Sequence, residues 1–90
     1  PTADLAVITA LASSAKDIII PQETVLVGEV GLSGEVRSVA KLDRRVAETE
    51  ALGFKQIIVP KSNLKRFKKS KSKIKVIGVS SVREVFSYLF

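Results

Sequence analysis

Residues 5–12 are apolar at every position except Thr9, which predicts a helix rather than an exposed segment. Residues 2–15, "TADLAVITALASSA", leave almost no polar face, so we expect this helix to be buried on nearly all sides. We predict Thr2 as its N-cap, with Asp4 in the first turn at the positive end of the helix dipole. The isoleucine run at residues 18–20 predicts a short strand, which Pro21 would end.

A β-hairpin is predicted next. Residues 24–30, "TVLVGEV", are mostly β-branched and apolar, as a strand should be. Residues 31–34, "GLSG", form the turn, and residues 35–39, "EVRSV", alternate between apolar and polar as a second strand.

Helices and strands then alternate through the second half of the chain. Residues 41–54, "KLDRRVAETEALGF", predict an amphipathic helix that ends at the glycine of position 53. "QIIVP" at residues 56–60 and "KVIGV" at residues 75–79 read as short buried strands. Residues 81–90 predict a closing helix, whose first turn has the serine and glutamate spacing of a capping box.

This order of elements predicts the α/β class. We expect one mixed sheet, in which the hairpin is the antiparallel part and the two later strands form parallel βα units with right-handed crossovers. We expect residues 1–90 to belong to a single domain, because a chain of this length rarely builds more than one core. The first residue is proline and not methionine, so we also expect either a processed chain or a piece of a larger protein.

Composition removes several kinds of chemistry. The chain contains no cysteine and no histidine, which excludes disulfides, thiolate nucleophiles and histidine acid–base catalysis. A zinc site would need carboxylates alone, so we expect no metal site here. No apolar stretch approaches the roughly 20 residues that a membrane helix needs, and we expect no membrane partner.

The stretch "GEVGLSGEVR" at residues 28–37 concentrates three glycines in ten positions. A dinucleotide-binding loop needs G-x-G-x-x-G between a strand and a helix, whereas these glycines are spaced G-x-x-G-x-x-G and precede a strand. A Walker loop would need G-K-[ST], which is absent. The spacing therefore favours a tight hairpin with glycines at positive φ.

The same stretch carries a family resemblance. Together with "ADLAV" at residues 3–7 and "GFKQIIVPKSN" at residues 53–63, it resembles the C-terminal, Lon-protease-like domain of the RadA (Sms) family of bacterial DNA repair proteins. The likeness covers nearly all ninety residues. It implies the latter part of the Lon-protease-like fold, with upstream strands of that domain outside this chain.

The resemblance also implies where catalytic residues would stand. The Lon family uses a serine–lysine dyad, with the serine in a Pro-Ser-Ala-Gly stretch and the lysine after a Gly-Gly-Leu stretch. Here Thr2 takes the serine position and Asp43 the lysine position. A hydroxyl without a base is a weak nucleophile, so we expect no catalytic residues and no peptidase activity. Lys41 is the alternative base, but nothing in the sequence indicates the burial that would lower its pKa.

The positive charge is concentrated in one connector. Residues 61–75, "KSNLKRFKKSKSKIK", hold eight of the fifteen Lys/Arg residues and no acid, so the remainder carries seven bases against nine acids. Such a patch can neutralise phosphates and release counterions. The candidate nucleic-acid-binding residues are Lys61, Lys65, Arg66, Lys68 and Lys69. Phe67 could stack on a base, although with Leu64 it more simply anchors a helical turn to the protein body.

Taken with the resemblance, these features predict a non-proteolytic scaffold and DNA-contacting domain of a RadA-type repair protein. The family implies ATP-dependent branch migration, a cytoplasmic location, hexameric rings, and ATP, magnesium and zinc bound outside these residues. For this chain we expect no cofactor. We do expect it to associate with itself and to bind single-stranded or branched DNA. Two alternatives stay open: a Lon-type serine peptidase, and a protein-interaction module that does not bind nucleic acid, in which the connector is only a solvated loop.

Overall fold

The computed structural model of the chain describes residues 3–67 and 73–90. Within these ranges it contains three α-helices, a 3₁₀ helix and six short strands. In chain order they are β1 Ala3–Asp4, α1 Leu5–Lys16, β2 Thr24–Leu26, β3 Glu29–Val30, β4 Val36–Arg37, α2 Leu42–Ala51, β5 Gln56–Pro60, the 3₁₀ helix Lys61–Lys65, β6 Lys75–Val79 and α3 Val82–Leu89.

The described strands form two three-stranded sheets rather than one mixed sheet. The first has the order β1-β3-β4 and is antiparallel, and the second has the order β2-β5-β6 and is parallel. The predicted α/β class, the hairpin and the parallel βα units are confirmed. The hairpin, however, forms a sheet of its own with β1.

Gly28 is the reason for this division. The predicted strand at residues 24–30 is split here, because Gly28 has φ +154° and turns the chain out of the parallel sheet into the antiparallel one. On either side of the split, Val27 donates its N–H to Ile58 of β5 at 2.9 Å, and Gly28 accepts the N–H of Leu5 at 3.0 Å. A side chain at Gly28 would meet Val36 Cγ1 at 3.0 Å. Only glycine combines this φ with this close approach.

Helix α1 differs from its prediction in two ways. Its N-cap is Asp4, whose carboxylate accepts the N–H groups of Ala6 at 2.8 Å and Val7 at 3.2 Å; the predicted cap, Thr2, lies outside the described residues. The helix is also not buried on nearly all sides. Val7 is 56% and Leu11 66% exposed, so one face of α1 is both apolar and open.

The isoleucine run after α1 is not a strand, which corrects a second prediction. Asp17 adopts the left-handed conformation at φ 56° and caps the helix, and Ile18 donates its N–H back to Ser13 at 2.9 Å. This capping arrangement consumes the backbone group that a strand would need. Ile19 is left 87% exposed.

The core consists of two clusters, one associated with each side of the parallel sheet. The first cluster brings α1 and α3 together with the antiparallel strands, through Leu5, Val30, Val36, Ile58, Val79 and Val85. The second brings α2 together with the other side of β5, through Val27, Leu42, Val46, Ile57, Val59 and Ile74. Because successive residues of β5 alternate between the clusters, this central strand is buried on both faces.

The glycine-rich hairpin has the predicted turn. Gly34 has φ +82° and donates its N–H to Gly31 at 3.0 Å. The Glu35 carboxylate occupies the space that a side chain at Gly31 would fill. Backbone hydrogen bonding at Glu35 itself and the Arg37 side chain, 3.0 Å away, lower the pKa of this carboxyl below its ordinary value.

The caps of the remaining helices follow their predictions closely. Gly53 has φ +93° just beyond the end of α2. At α3, Ser81 accepts the N–H of Glu84 at 3.2 Å, as a capping box requires. The Glu84 carboxylate reaches the N–H of Ser80, one residue before the predicted partner, at 3.2 Å.

Candidate nucleic-acid interface

The basic connector begins where the central parallel strand ends. Strand β5 stops at Pro60, and the 3₁₀ helix Lys61–Lys65 follows without an intervening residue. Ligands of open parallel sheets bind beyond the carboxyl ends of the strands, and this is the edge at which the connector lies. The first residue of the connector, Lys61, therefore follows directly on β5, which is buried over most of its length.

Three of the five predicted cations lie in the described part of the connector. Lys61, Lys65 and Arg66 are all exposed, and none of them forms an ion pair with a described residue. Lys68 and Lys69 lie outside the described residues. The three cations are thus not paired with a carboxylate among the described residues, although Asp43 lines a cleft together with Arg66, and their charge is available to neutralise phosphate.

Leu64 and Phe67 anchor the connector, which confirms the simpler of the two predictions for Phe67. Both side chains pack against the second core cluster. A side chain at Gly78 of β6 would collide with Leu64 Cδ1, so the glycine leaves the space that Leu64 fills. Since Phe67 is half-buried in this contact, it holds the connector in place.

Asn63 fastens the connector to the segment that follows the hairpin. Its side-chain oxygen accepts the N–H of Val39 and its side-chain nitrogen donates to the carbonyl of Val39, both at 2.9 Å. Beside this pair of bonds, the hydroxyls of Ser38 and Ser62 are hydrogen-bonded to each other. The amide thus replaces a missing strand partner for Val39 and fixes the distance between the two segments.

Two adjoining clefts lie along this seam. The larger, of about 420 Å³, is lined by Ser38, Val39, Ser62, Asn63, Lys65 and Arg66. The smaller, of about 200 Å³, is lined by Lys41, Leu42, Asp43, Asn63, Arg66 and Phe67. Asn63 and Arg66 belong to both. Sequence reasoning did not find Ser38 and Ser62, because 24 positions separate them and neither carries a motif.

The positions at which the Lon family places its dyad are partly visible. Asp43 lies exposed in the first turn of α2, where a carboxylate suits the helix dipole but cannot serve as the family's lysine. Lys41 is exposed and precedes the helix in the left-handed conformation at φ 57°. Thr2, at the serine position, lies outside the described residues.

The described residues offer neither a cluster of metal ligands nor a membrane-spanning helix. Residues 3–67 and 73–90 contain no group of three or more His, Cys, Asp or Glu side chains placed to hold a metal ion. The helices of these two ranges are also too short or too polar to cross a bilayer.

Comparison with known families identifies the domain. The family model of the Lon protease (S16) C-terminal proteolytic domain matches residues 1–90. The chain belongs to this family. Membership in the Lon C-terminal family agrees with the fold class and with the likeness seen in the glycine-rich hairpin.

Curated relatives narrow the likeness further. The chain is 45% identical over 84 residues to the DNA repair protein RadA of Bacillus subtilis (strain 168), which covers 93% of this chain and 18% of that protein. It is 43% identical over 90 residues to RadA of Streptococcus pneumoniae (strain ATCC BAA-255 / R6), covering 100% of this chain and 21% of that protein. RadA of Aquifex aeolicus (strain VF5) is 40% identical to it over 90 residues, which cover 100% of this chain and 19% of that protein.

These matches confirm the resemblance to the Lon-like domain of RadA. The chain spans about a fifth of the length of the relatives it matches. The likeness therefore concerns this one Lon C-terminal domain.

Proposed function

We propose that this chain is a non-proteolytic Lon-type domain of a RadA-like DNA repair protein, and that it contacts DNA through the cations that follow β5. The supporting observation is the unpaired positive charge at Lys61, Lys65 and Arg66, displayed on a connector that Asn63 and Phe67 fix to the core. The candidates Lys68 and Lys69 continue the same run in the sequence.

The proposed contact is to phosphate rather than to bases. Phe67 packs against the second core cluster and is therefore not free to stack on a base, and the sequence around these cations shows no set of base-reading residues. Binding should therefore be insensitive to sequence, and should weaken steeply as salt rises because counterions are released. Each phosphate contact adds a log–log salt slope of about −0.9 on duplex DNA, so three to five contacts predict about −3 to −4.5.

The test is a salt titration with labelled duplex, branched and single-stranded DNA. Wild type is compared with a variant in which Lys61, Lys65 and Arg66 are changed to glutamine. A matched control removes three exposed cations elsewhere in the fold: Lys16, Lys55 and Arg83. We expect the first variant to flatten the salt slope and the control to keep most of it. If both variants behave alike, or wild type does not bind at low salt, the interaction-module alternative replaces this proposal.

The non-proteolytic part of the proposal rests on Asp43. A carboxylate at the position of the family's lysine cannot accept a proton from a hydroxyl as an amine held neutral does, and Lys41 nearby is exposed. We expect no cleavage of unfolded casein or fluorogenic peptides. Turnover that is lost in Thr2→Ala would show instead that this is an active Lon-type peptidase.

The wider setting is also part of the proposal and extends what the family resemblance implies. The whole protein would be a cytoplasmic, DNA-dependent ATPase that drives branch migration as a hexameric ring, with ATP, magnesium and zinc bound outside this chain. Within the chain, self-association is proposed through the exposed apolar face of α1, where Val7 and Leu11 are open.

A further inference from the structure

The larger of the two clefts, of about 420 Å³, is distinguished by what lines it. We call it the serine groove, after the two hydroxyls in its lining that are hydrogen-bonded to each other. Its lining residues are Ser38, Val39, Ser62, Asn63, Lys65 and Arg66. The set contains two cations, two hydroxyls and no acid, whereas the adjoining cleft includes the carboxylate of Asp43. The groove is therefore the part of the seam that suits an anion.

Some polar groups of the groove wall already form hydrogen bonds within the protein, and others remain available to a ligand. Asn63 satisfies both the N–H and the carbonyl of Val39, so the backbone at this point offers a ligand no competing group. Ser38 and Ser62 share one hydrogen bond, in which one hydroxyl donates and the other keeps its proton. The free hydroxyl proton and the guanidinium of Arg66 are donors, which match the acceptor oxygens of a phosphate.

The groove is also held rigid from both sides. One wall follows β4 of the antiparallel hairpin, and the other is the 3₁₀ helix, which Leu64 ties to the second core cluster. The backbone that carries the two hydroxyls is thus fixed before binding, so these two donors lose little freedom when an anion arrives. The volume is several times the roughly 30 Å³ that one water occupies in the liquid, so a phosphate group with bridging waters fits.

We propose that the serine groove is a discrete site for one phosphate group, bound by the hydroxyls of Ser38 and Ser62 and the side chains of Lys65 and Arg66. This rests on the proposed function in naming the DNA backbone as the source of that phosphate. It goes beyond it by assigning the contact to a fixed pocket with neutral donors, in place of a diffuse basic surface.

The first experiment uses inorganic phosphate as the probe. The ¹⁵N-labelled 90-residue chain is titrated with phosphate at constant ionic strength, and amide shifts are followed. We expect saturable shifts confined to residues 38–39 and 62–66. Changing Ser38 and Ser62 to alanine together should weaken phosphate binding about tenfold, because hydrogen bonds to a charged group are lost. The matched control changes two exposed helix serines, Ser14 and Ser87, to alanine and should bind as wild type.

Asp43→Asn supplies a variant that acts in the opposite direction. It removes the carboxylate that lies beside the groove, so phosphate should bind about two- to fivefold more tightly, the usual size of an exposed charge effect. This variant keeps the proposal testable even if the double serine variant folds poorly. Shifts that do not saturate, that occur elsewhere, or that are the same in all variants would overturn the site.

A second experiment, with duplex DNA, distinguishes DNA phosphate from free phosphate. It also tests the groove and the DNA-binding proposal separately. On duplex DNA, the double serine variant should lose about the same factor in affinity at every salt concentration, because it removes no charge. If it binds phosphate and DNA as wild type while the Lys61/Lys65/Arg66 variant still flattens the salt slope, the groove is wrong and the DNA-binding proposal stands. If phosphate saturates the groove but no DNA binds, the site stands for free phosphate, and the DNA-binding proposal fails.

Discussion

Replacing Asn63 by alanine tests whether the connector is fastened to the hairpin as the structure shows. The change removes two hydrogen bonds of 2.9 Å, one to the N–H and one to the carbonyl of Val39. A hydrogen bond contributes about 0.5–1.5 kcal/mol to stability, which gives about 1–3 kcal/mol for the pair. Both residues are half-buried, so water compensates in part, and we expect about 1–2 kcal/mol.

Thermal and urea unfolding followed by circular dichroism measure this loss. For a domain of this size, about 1.5 kcal/mol corresponds to a fall of about 6–12 °C in melting temperature. Asn63→Asp is the informative companion, because it keeps the acceptor for the Val39 N–H but places a carboxylate against the Val39 carbonyl. We expect it to destabilise at least as much as alanine.

Ser62→Ala is the control for that experiment, since Ser62 is the exposed neighbour of Asn63 and its hydroxyl bonds only a side chain. It should change stability by less than about 0.5 kcal/mol. An Asn63→Ala protein that unfolds within the same 0.5 kcal/mol of wild type would refute the fastening, and with it the fixed geometry of the serine groove.

Three further predictions concern the hairpin and α1. Gly34→Ala should cost about 1–2 kcal/mol, because φ is +82° and the added methyl group meets nothing, so the cost is conformational alone; urea unfolding measures it. The pKa of the Glu35 carboxyl is lowered in the fold, so the ionised carboxylate stabilises the fold above the ordinary pKa of 4.5, and this stabilisation is lost as pH falls through the lowered pKa. The carboxylate accepts the N–H of Ser33, so the amide signal of Ser33 should titrate with it. Glu35→Gln should abolish this titration. Leu11→Glu should reduce self-association in sedimentation without unfolding the chain, whereas Leu52→Glu, similarly exposed but at the C-terminal end of α2, should leave it unchanged; a wild-type chain that remains a 9.7 kDa monomer at high concentration contradicts the proposal.

The elements best predicted from sequence are those whose pattern is local. Helices α2 and α3 and strands β5 and β6 have the predicted type because amphipathic period, caps and proline or glycine stops agree over each segment. The break between β2 and β3 was not predicted, since Val27 before Gly28 and Val30 after it are both apolar and β-branched. Only its φ of +154° and its contact with Val36 reveal the change of sheet.

Burial of α1 shows a different limit. Its composition predicts a surrounded helix, but burial depends on what packs on each side, and Val7 and Leu11 have nothing over them among the described residues. Composition also located the cations Lys61, Lys65 and Arg66. It could not reveal the opposite wall of their groove, because Ser38 reaches Ser62 only after the hairpin and β5 have folded together.

The change from the parallel to the antiparallel sheet at Gly28 also bears on which sheet folds first. The antiparallel pairing of Glu29 with Arg37 closes a short loop, whereas the parallel pairing of Thr24 with Gln56 must first bring distant parts of the chain together. Short loops close faster and at lower entropic cost, so the hairpin should gain hydrogen-exchange protection before the parallel sheet does. Gly28 accepts a hydrogen bond from Leu5, and its neighbour Val27 donates one to Ile58. These two adjacent residues therefore connect the antiparallel sheet, which should form first, to the parallel sheet, which should form later. A substitution at Gly28 should therefore slow refolding more than it speeds unfolding.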